Sequence, residues 1–153
     1  MSTQTADQAV RRSVTVNRSV EDAFRLFTEG MSTWWPFETH SIGKDGADPD
    51  EAVLEGGEGG RLYERMADGH TSHWATVLVW EPPTRIVLSW ELRPNRPATE
   101  VEVRFSPAGD GTRVDLEHRG WERLGAAAAE ARAGYDTGWE YVLGRYAEHG
   151  NAG

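Results

Sequence analysis

The chain has 153 residues, 38% hydrophobic and 27% charged, with 16 basic side chains against 25 acidic ones and no cysteine. That length holds one core rather than two, the missing cysteine removes disulfides, thiolate zinc sites and thiol nucleophiles, and a formal net charge of -9 repels a polyanion, so nucleic acid is not an expected partner. No apolar run approaches the roughly 20 residues of a membrane span, and the polar first ten residues carry no basic-then-apolar leader, so the expected location is the cytoplasm.

Residues 1–9 are expected to be a flexible lead-in. Val10, Arg12, Val14 and Val16 then alternate with Arg11, Ser13, Thr15 and Asn17, the period of a half-buried strand. Ser19 stands three residues before Asp22, as in a capping box, and Val20, Ala23, Phe24, Phe27 and Met31 recur at helical spacing. A short amphipathic helix follows, ended by Gly30, and Pro36 keeps Trp34 and Trp35 out of any continuation. Residues 38–51 show neither period and are rich in Gly, Asp and Pro, which predicts a loop that is either functional or poorly ordered.

Turn signals at 56–60, 68–69, 82–83, 94–97 and 109–111 cut the next stretch into strands at 52–55, 61–66, 72–80, 85–92, 99–106 and 112–119. With the first strand they make an antiparallel meander of about seven strands. Val101, Val103 and Phe105 oppose Glu100, Glu102 and Arg104, while Val114, Leu116 and His118 oppose Arg113, Asp115, Glu117 and Arg119. One face of the sheet is therefore wet and the other covered. The cover is a long C-terminal helix, in which Leu124, Ala128, Ala131, Tyr135, Trp139, Val142 and Tyr146 recur at steps of three or four. The domain is expected to run over residues 10–149, with 150–153 as a flexible tail. Gly134 and Gly138 inside that helix each cost about 1 kcal/mol relative to Ala, so close approach of sheet backbone is expected there. The fold class is α+β.

The order of strand, short helix, meander and long terminal helix resembles the START-like superfamily, also called SRPBCC or helix-grip. Gly59-Gly60-Arg61-Leu62-Tyr63-Glu64-Arg65, Trp80-Glu81-Pro82-Pro83, Ile86-Val87-Leu88-Ser89-Trp90 and Thr99-Glu100-Val101-Glu102-Val103-Arg104-Phe105 sharpen the likeness. With His118-Arg119-Gly120-Trp121-Glu122 and Tyr135-Asp136-Thr137-Gly138-Trp139, they resemble the bacterial branch named after the C-terminal domain of the heat-shock-protein-90 ATPase activator. The resemblance covers residues 11 to about 146. It implies a cavity for an apolar or amphipathic ligand between helix and sheet, in a superfamily that includes lipid carriers, polyketide cyclases and dehydratases, and self-resistance proteins. The eukaryotic activators carry an additional N-terminal domain for which this chain has no room, so co-chaperone activity does not follow from the family name.

Seven tryptophans are many for this length, and large core residues account for most of them. Trp90, Phe105, Leu116, His118, Trp121, Tyr135 and Trp139 are the candidate lining of a cavity, with Trp34, Trp35 and Phe37 at its mouth. A fully packed core is the competing account. His118 continues the inward face of Val114 and Leu116; a hydrogen-bonded core histidine is the commoner role, and a pairing with Glu64 for proton transfer is the sharper one. His70 and His73 point to opposite faces of a strand, His40 has no spaced partner, and Asp45, Asp48, Asp50 and Glu51 lack the spacing of a calcium loop, so no metal is expected. No cofactor is expected either, because nucleophile-elbow, phosphate-loop and dinucleotide fingerprints are absent from the sequence. Three readings remain: a binder of a small hydrophobic or amphipathic ligand such as a lipid, a cyclase, dehydratase or hydrolase using the same cavity, and a chaperone-associated interaction module. The expected assembly is a monomer or weak homodimer.

Overall fold

The computed structural model describes residues 9–35, 49–66, 68–69, 71–91 and 97–151. Phe37, His40, Asp45, Asp48 and His70, and most of the expected 38–51 loop, lie outside them. The alternating segments form β1 (Val10–Val16), β2 (Pro49–Leu54), β3 (Arg61–Met66), β4 (Thr71–Glu81), β5 (Arg85–Trp90), β6 (Thr99–Ala108) and β7 (Gly111–Arg119). They pair antiparallel in one sheet of order β1-β7-β6-β5-β4-β3-β2. The inward register is continuous across strands: Val14 lies opposite Val114, Val114 opposite Phe105, Val103 opposite Ile86, and Trp90 opposite Ala75.

Between β1 and β2 lie α1 (Val20–Thr28) and the single turn α2 (Met31–Trp34). Ser19 Oγ accepts the Asp22 amide at 3.1 Å, the N-cap interaction that the Ser19/Asp22 spacing predicts. After β7 a 3-10 segment, Trp121–Ala127, leads into α3 (Ala128–Asn151). Gly125, at φ 57°, stands in the left-handed region and keeps the two from merging into one helix. This α+β arrangement, an antiparallel sheet gripping a long terminal helix, is the helix-grip fold.

Three details depart from the expectations. Strand β2 begins at Pro49, inside the stretch read as loop. Its extended state is imposed by β3, through Ala52 opposite Glu64 and Leu54 opposite Leu62, rather than by a pattern of its own. Helix α3 continues past His149 because Asn151 is tied to β1: its Oδ1 accepts the Asn17 amide at 2.6 Å and its Nδ2 donates to the Thr15 carbonyl at 3.3 Å. Gly134 has no close neighbour, so a Cβ there would meet open space; Gly150 makes the tight approach instead, with a Cβ site 3.0 Å from Val16 Cγ1.

Helix α3 is not centred on the sheet. Its backbone runs closest to β1, at one edge. Arg12 Nη2 donates to Asp136 Oδ1 at 2.8 Å, pinning the helix to that edge, and Tyr146 Oη donates to the Ala23 carbonyl at 2.8 Å, joining it to α1. Large aromatic side chains from β4, β5 and β6 collect between the sheet and the helices. Among the described residues, no helix is long and apolar enough to cross a membrane.

Candidate functional site

The inner rings fall into two groups. Phe24, Phe27, Trp34, Phe105 and Tyr146 pack edge to face, or tilted for Phe27 on Trp34, with centroids 5.1 to 5.7 Å apart, and lock α1 and α2 onto β6 and α3. Trp34, donating its indole N–H to the Leu26 carbonyl at 2.9 Å, is part of that lock, not of a mouth. Phe105 belongs there too. The second group is Trp35, Trp74, Trp90, His118, Trp121, Tyr135 and Trp139, joined to the first where Trp34 meets Trp35. Leu116 lies in mid-sheet, opposite Val103 on one side and Arg12 on the other.

Within the second group, the corner around His118 is closed. Its ring centroid lies 4.2 Å from that of Trp121 and 4.8 Å from that of Tyr135, which is direct ring contact. Trp139 donates its indole N–H to His118 Nδ1 at 2.9 Å. An indole nitrogen only donates, so Nδ1 holds a lone pair and the proton of the neutral ring sits on Nε2, which donates to Thr99 Oγ1 at 2.7 Å. Burial drives the His118 pKa down to about 3. A histidine that is neutral and bonded at both nitrogens fastens β6 and β7 to α3, and has no nitrogen left to offer a substrate.

The other end of the group is built differently. Trp35, Trp74, Trp90 and Trp139 form a chain of indoles, at centroid separations of 4.6 Å for Trp35 and Trp74 and 5.4 Å for Trp90 and Trp139. They join the end of α2, β4, β5 and α3. Trp74 reaches this position through a β-bulge: Leu62 pairs with Ala75 and Tyr63 with His73, leaving Trp74 as the extra residue. Bulges re-aim side chains and are common beside binding sites. Glu64, wholly buried, pairs with Ser72 two residues before Trp74 and shares the inward face of β3 with Leu62 and Met66. The alternation of 61–66 leaves the facing of Glu64 open in the sequence, and the strand register turns it inward. Trp74 was not singled out by the sequence reading, because a bulge leaves no mark in a period-two pattern.

The outer face carries ion pairs rather than a site. Glu102 accepts from Arg85, Arg104 and Arg119 at 2.6 to 2.7 Å. Burial would raise its carboxyl, but these three hydrogen bonds prevail and hold it down at about 2. His73 lies on this side as well, 2.6 Å from Glu91 and accepting from Arg61 Nε at 3.3 Å.

The matches to known proteins agree with this architecture. The family model described as Activator of Hsp90 ATPase homolog 1-like protein matches residues 17–149. Txn09, an anthrahydroquino-γ-pyrone synthase complexed with SUM, is 34% identical over 92% of this chain and 95% of its own, with a TM-score of 0.59. CalC from Micromonospora echinospora, a self-sacrificing resistance protein, is 29% identical over 94% of this chain and 96% of its own, with a TM-score of 0.68. The Aha1 dimer from Colwellia psychrerythraea, at 16% identity over 95% of this chain and 97% of its own, shares the fold with a TM-score of 0.67. No curated protein matches the sequence significantly. With a family model spanning most of its length and a structural relative at this level of identity, the chain belongs to the Activator of Hsp90 ATPase homolog 1-like family of the START-like superfamily.

Proposed function

We propose that this protein binds a small, flat, largely apolar ligand on the indole chain formed by Trp35, Trp74, Trp90 and Trp139. The observation that carries this reading is the chain of indoles itself, in which Trp35 meets Trp74 and Trp90 meets Trp139 between β4, β5 and α3. Rings of this size offer broad apolar area with few polar groups, the composition of small-molecule sites. Txn09, an anthrahydroquino-γ-pyrone synthase, supports a fused aromatic ligand over an acyl-chain lipid. The ligand is placed on the indoles rather than at His118, whose two ring nitrogens are already bonded to Thr99 and Trp139.

The test is thermal shift and tryptophan quenching against a panel of fatty acids, flavonoids and anthraquinones. A ligand held only by the native state at 100 times its Kd stabilises by about 2.7 kcal/mol, which raises the Tm of a domain this size by roughly 5–10 °C. We expect that response from the planar aromatic compounds. A panel in which no compound moves Tm or emission overturns the reading.

A second reading, a cyclase-type enzyme, is favoured by one feature: Glu64 brings a wholly buried carboxyl to the same inward face, within a chain 34% identical to a synthase. In that case Glu64 is the proton-transfer group, and His118 positions Trp139. Glu64→Gln should then retain binding and abolish turnover of a linear or partly cyclised polyketide substrate. Turnover undiminished by Glu64→Gln refutes the assignment.

A further inference from the structure

Buried hydrogen-bond donors are almost always satisfied, and a bare one costs enough that its persistence needs a reason. The buried indoles of this protein follow the rule. Trp34 donates to the Leu26 carbonyl, Trp90 to Tyr135 Oη, Trp121 to the His118 carbonyl and Trp139 to His118 Nδ1, at 2.9 to 3.3 Å. Trp74 breaks it. Its side chain is 0% exposed, yet Nε1 has no partner. Among the described residues only one other buried side-chain atom is so placed, Arg12 Nε, and that guanidinium is already compensated through Asp136.

We infer that the Trp74 indole N–H is the polar anchor of the ligand site, and that the ligand presents to it a neutral oxygen acceptor, a quinone, ketone or pyrone carbonyl, carried on a planar aromatic frame. This rests on the binding reading above and adds to it the one polar contact that fixes the ligand's orientation. Three observations lead to the acceptor class. The bulge at Trp74 holds the ring inside by backbone geometry, and its carbonyl is engaged by the Glu91 amide at 2.7 Å, so the indole is set in place before any ligand arrives. Its ring neighbours, Trp35 and Trp90, supply flat apolar surface and no charge. Glu64, on the same inward face opposite Ser72, adds a carboxyl and no cation that would pair an anionic ligand, which leaves a neutral acceptor as the match for a lone N–H.

The experiment compares 9,10-anthraquinone with anthracene, frames of the same shape with and without carbonyls, on the parent and on Trp74→Phe. The quantity read is the ratio of the anthracene Kd to the anthraquinone Kd, which cancels the loss of ring area common to both ligands. The expected result is that this ratio falls about tenfold in Trp74→Phe, the size of one buried hydrogen bond. An unchanged ratio, with both compounds bound, means that the N–H serves only an ordered water and overturns the inference while leaving the binding reading intact. Binding of neither compound to the parent removes both. Should Trp74→Phe fail to fold, the parent's own indole resonances decide. The Trp74 15N–1H signal should move downfield with anthraquinone and not with anthracene, and equal response to the two refutes the assignment.

Discussion

Replacing His118 by Gln tests the closed corner of the interior through its pH dependence. Gln can accept from the Trp139 indole and donate to Thr99 as the neutral imidazole does, but it does not titrate. In the folded parent, burial lowers the His118 pKa to about 3, against about 6.5 for an unfolded histidine. Between those values the unfolded chain binds a proton that the native state refuses. Stability from this group is therefore whole above pH 6.5 and drains away as the pH falls toward 3. For a single site with these constants, acidification from pH 7.5 to pH 5 costs about 2 kcal/mol. Urea unfolding of parent and His118→Gln, followed by tryptophan emission at pH 7.5, 6.5, 5.5 and 5, measures it. The parent should lose about 2 kcal/mol more than the variant over that range, since the remaining histidines and Glu102 are common to both. Parallel pH profiles would show that His118 is protonated in the native state, and the neutral, doubly bonded ring would have to be abandoned.

Gly134→Ala should stabilise the protein by about 1 kcal/mol, because the position is helical, exposed and free of neighbours, and the gain should appear as a higher urea midpoint at unchanged slope. Gly150→Ala should do the opposite and lower Tm, since its Cβ would press on Val16 and Leu26; a neutral result would mean that the end of α3 shifts freely. Glu102→Gln removes the charge shared by Arg85, Arg104 and Arg119 and should cost about 2 kcal/mol near neutral pH by urea titration. Because the folded carboxyl titrates at about 2 and the unfolded one near 4.5, its contribution is whole above pH 4.5 and declines below it, so the gap between parent and variant should narrow from pH 5 to pH 3.

What could be read from the sequence follows from which physical rule dominates at each residue. Period-two alternation is set by the sheet itself, so β1, β6 and β7 were legible from Val, Arg and Glu order alone, and the Ser19 cap was legible because its partner is three residues away. Strand β2 was not, because its state is imposed by hydrogen bonds to β3. A one-dimensional period cannot divide Trp34 and Phe105, which lock the short helices, from Trp35, Trp90 and Trp139, which join the indole chain.

Trp74 shows why the polar anchor stayed hidden. In an ideal strand an indole at position 74 would share its face with Ser72 and Thr76, and Ala75 would point the other way; the bulge opposite Leu62 and Tyr63 buries Trp74 and Ala75 together. Such a break uncouples the side chain from the sheet's own pattern of satisfied groups. Every other indole donor named here was matched by an acceptor that the fold supplies nearby, a carbonyl one turn away for Trp121 or a facing Tyr135 for Trp90. A bulged residue forfeits that local provision. Keeping a tryptophan at that place, where phenylalanine would fill similar space without the cost of a bare N–H, is the arrangement expected when the missing acceptor arrives with the ligand.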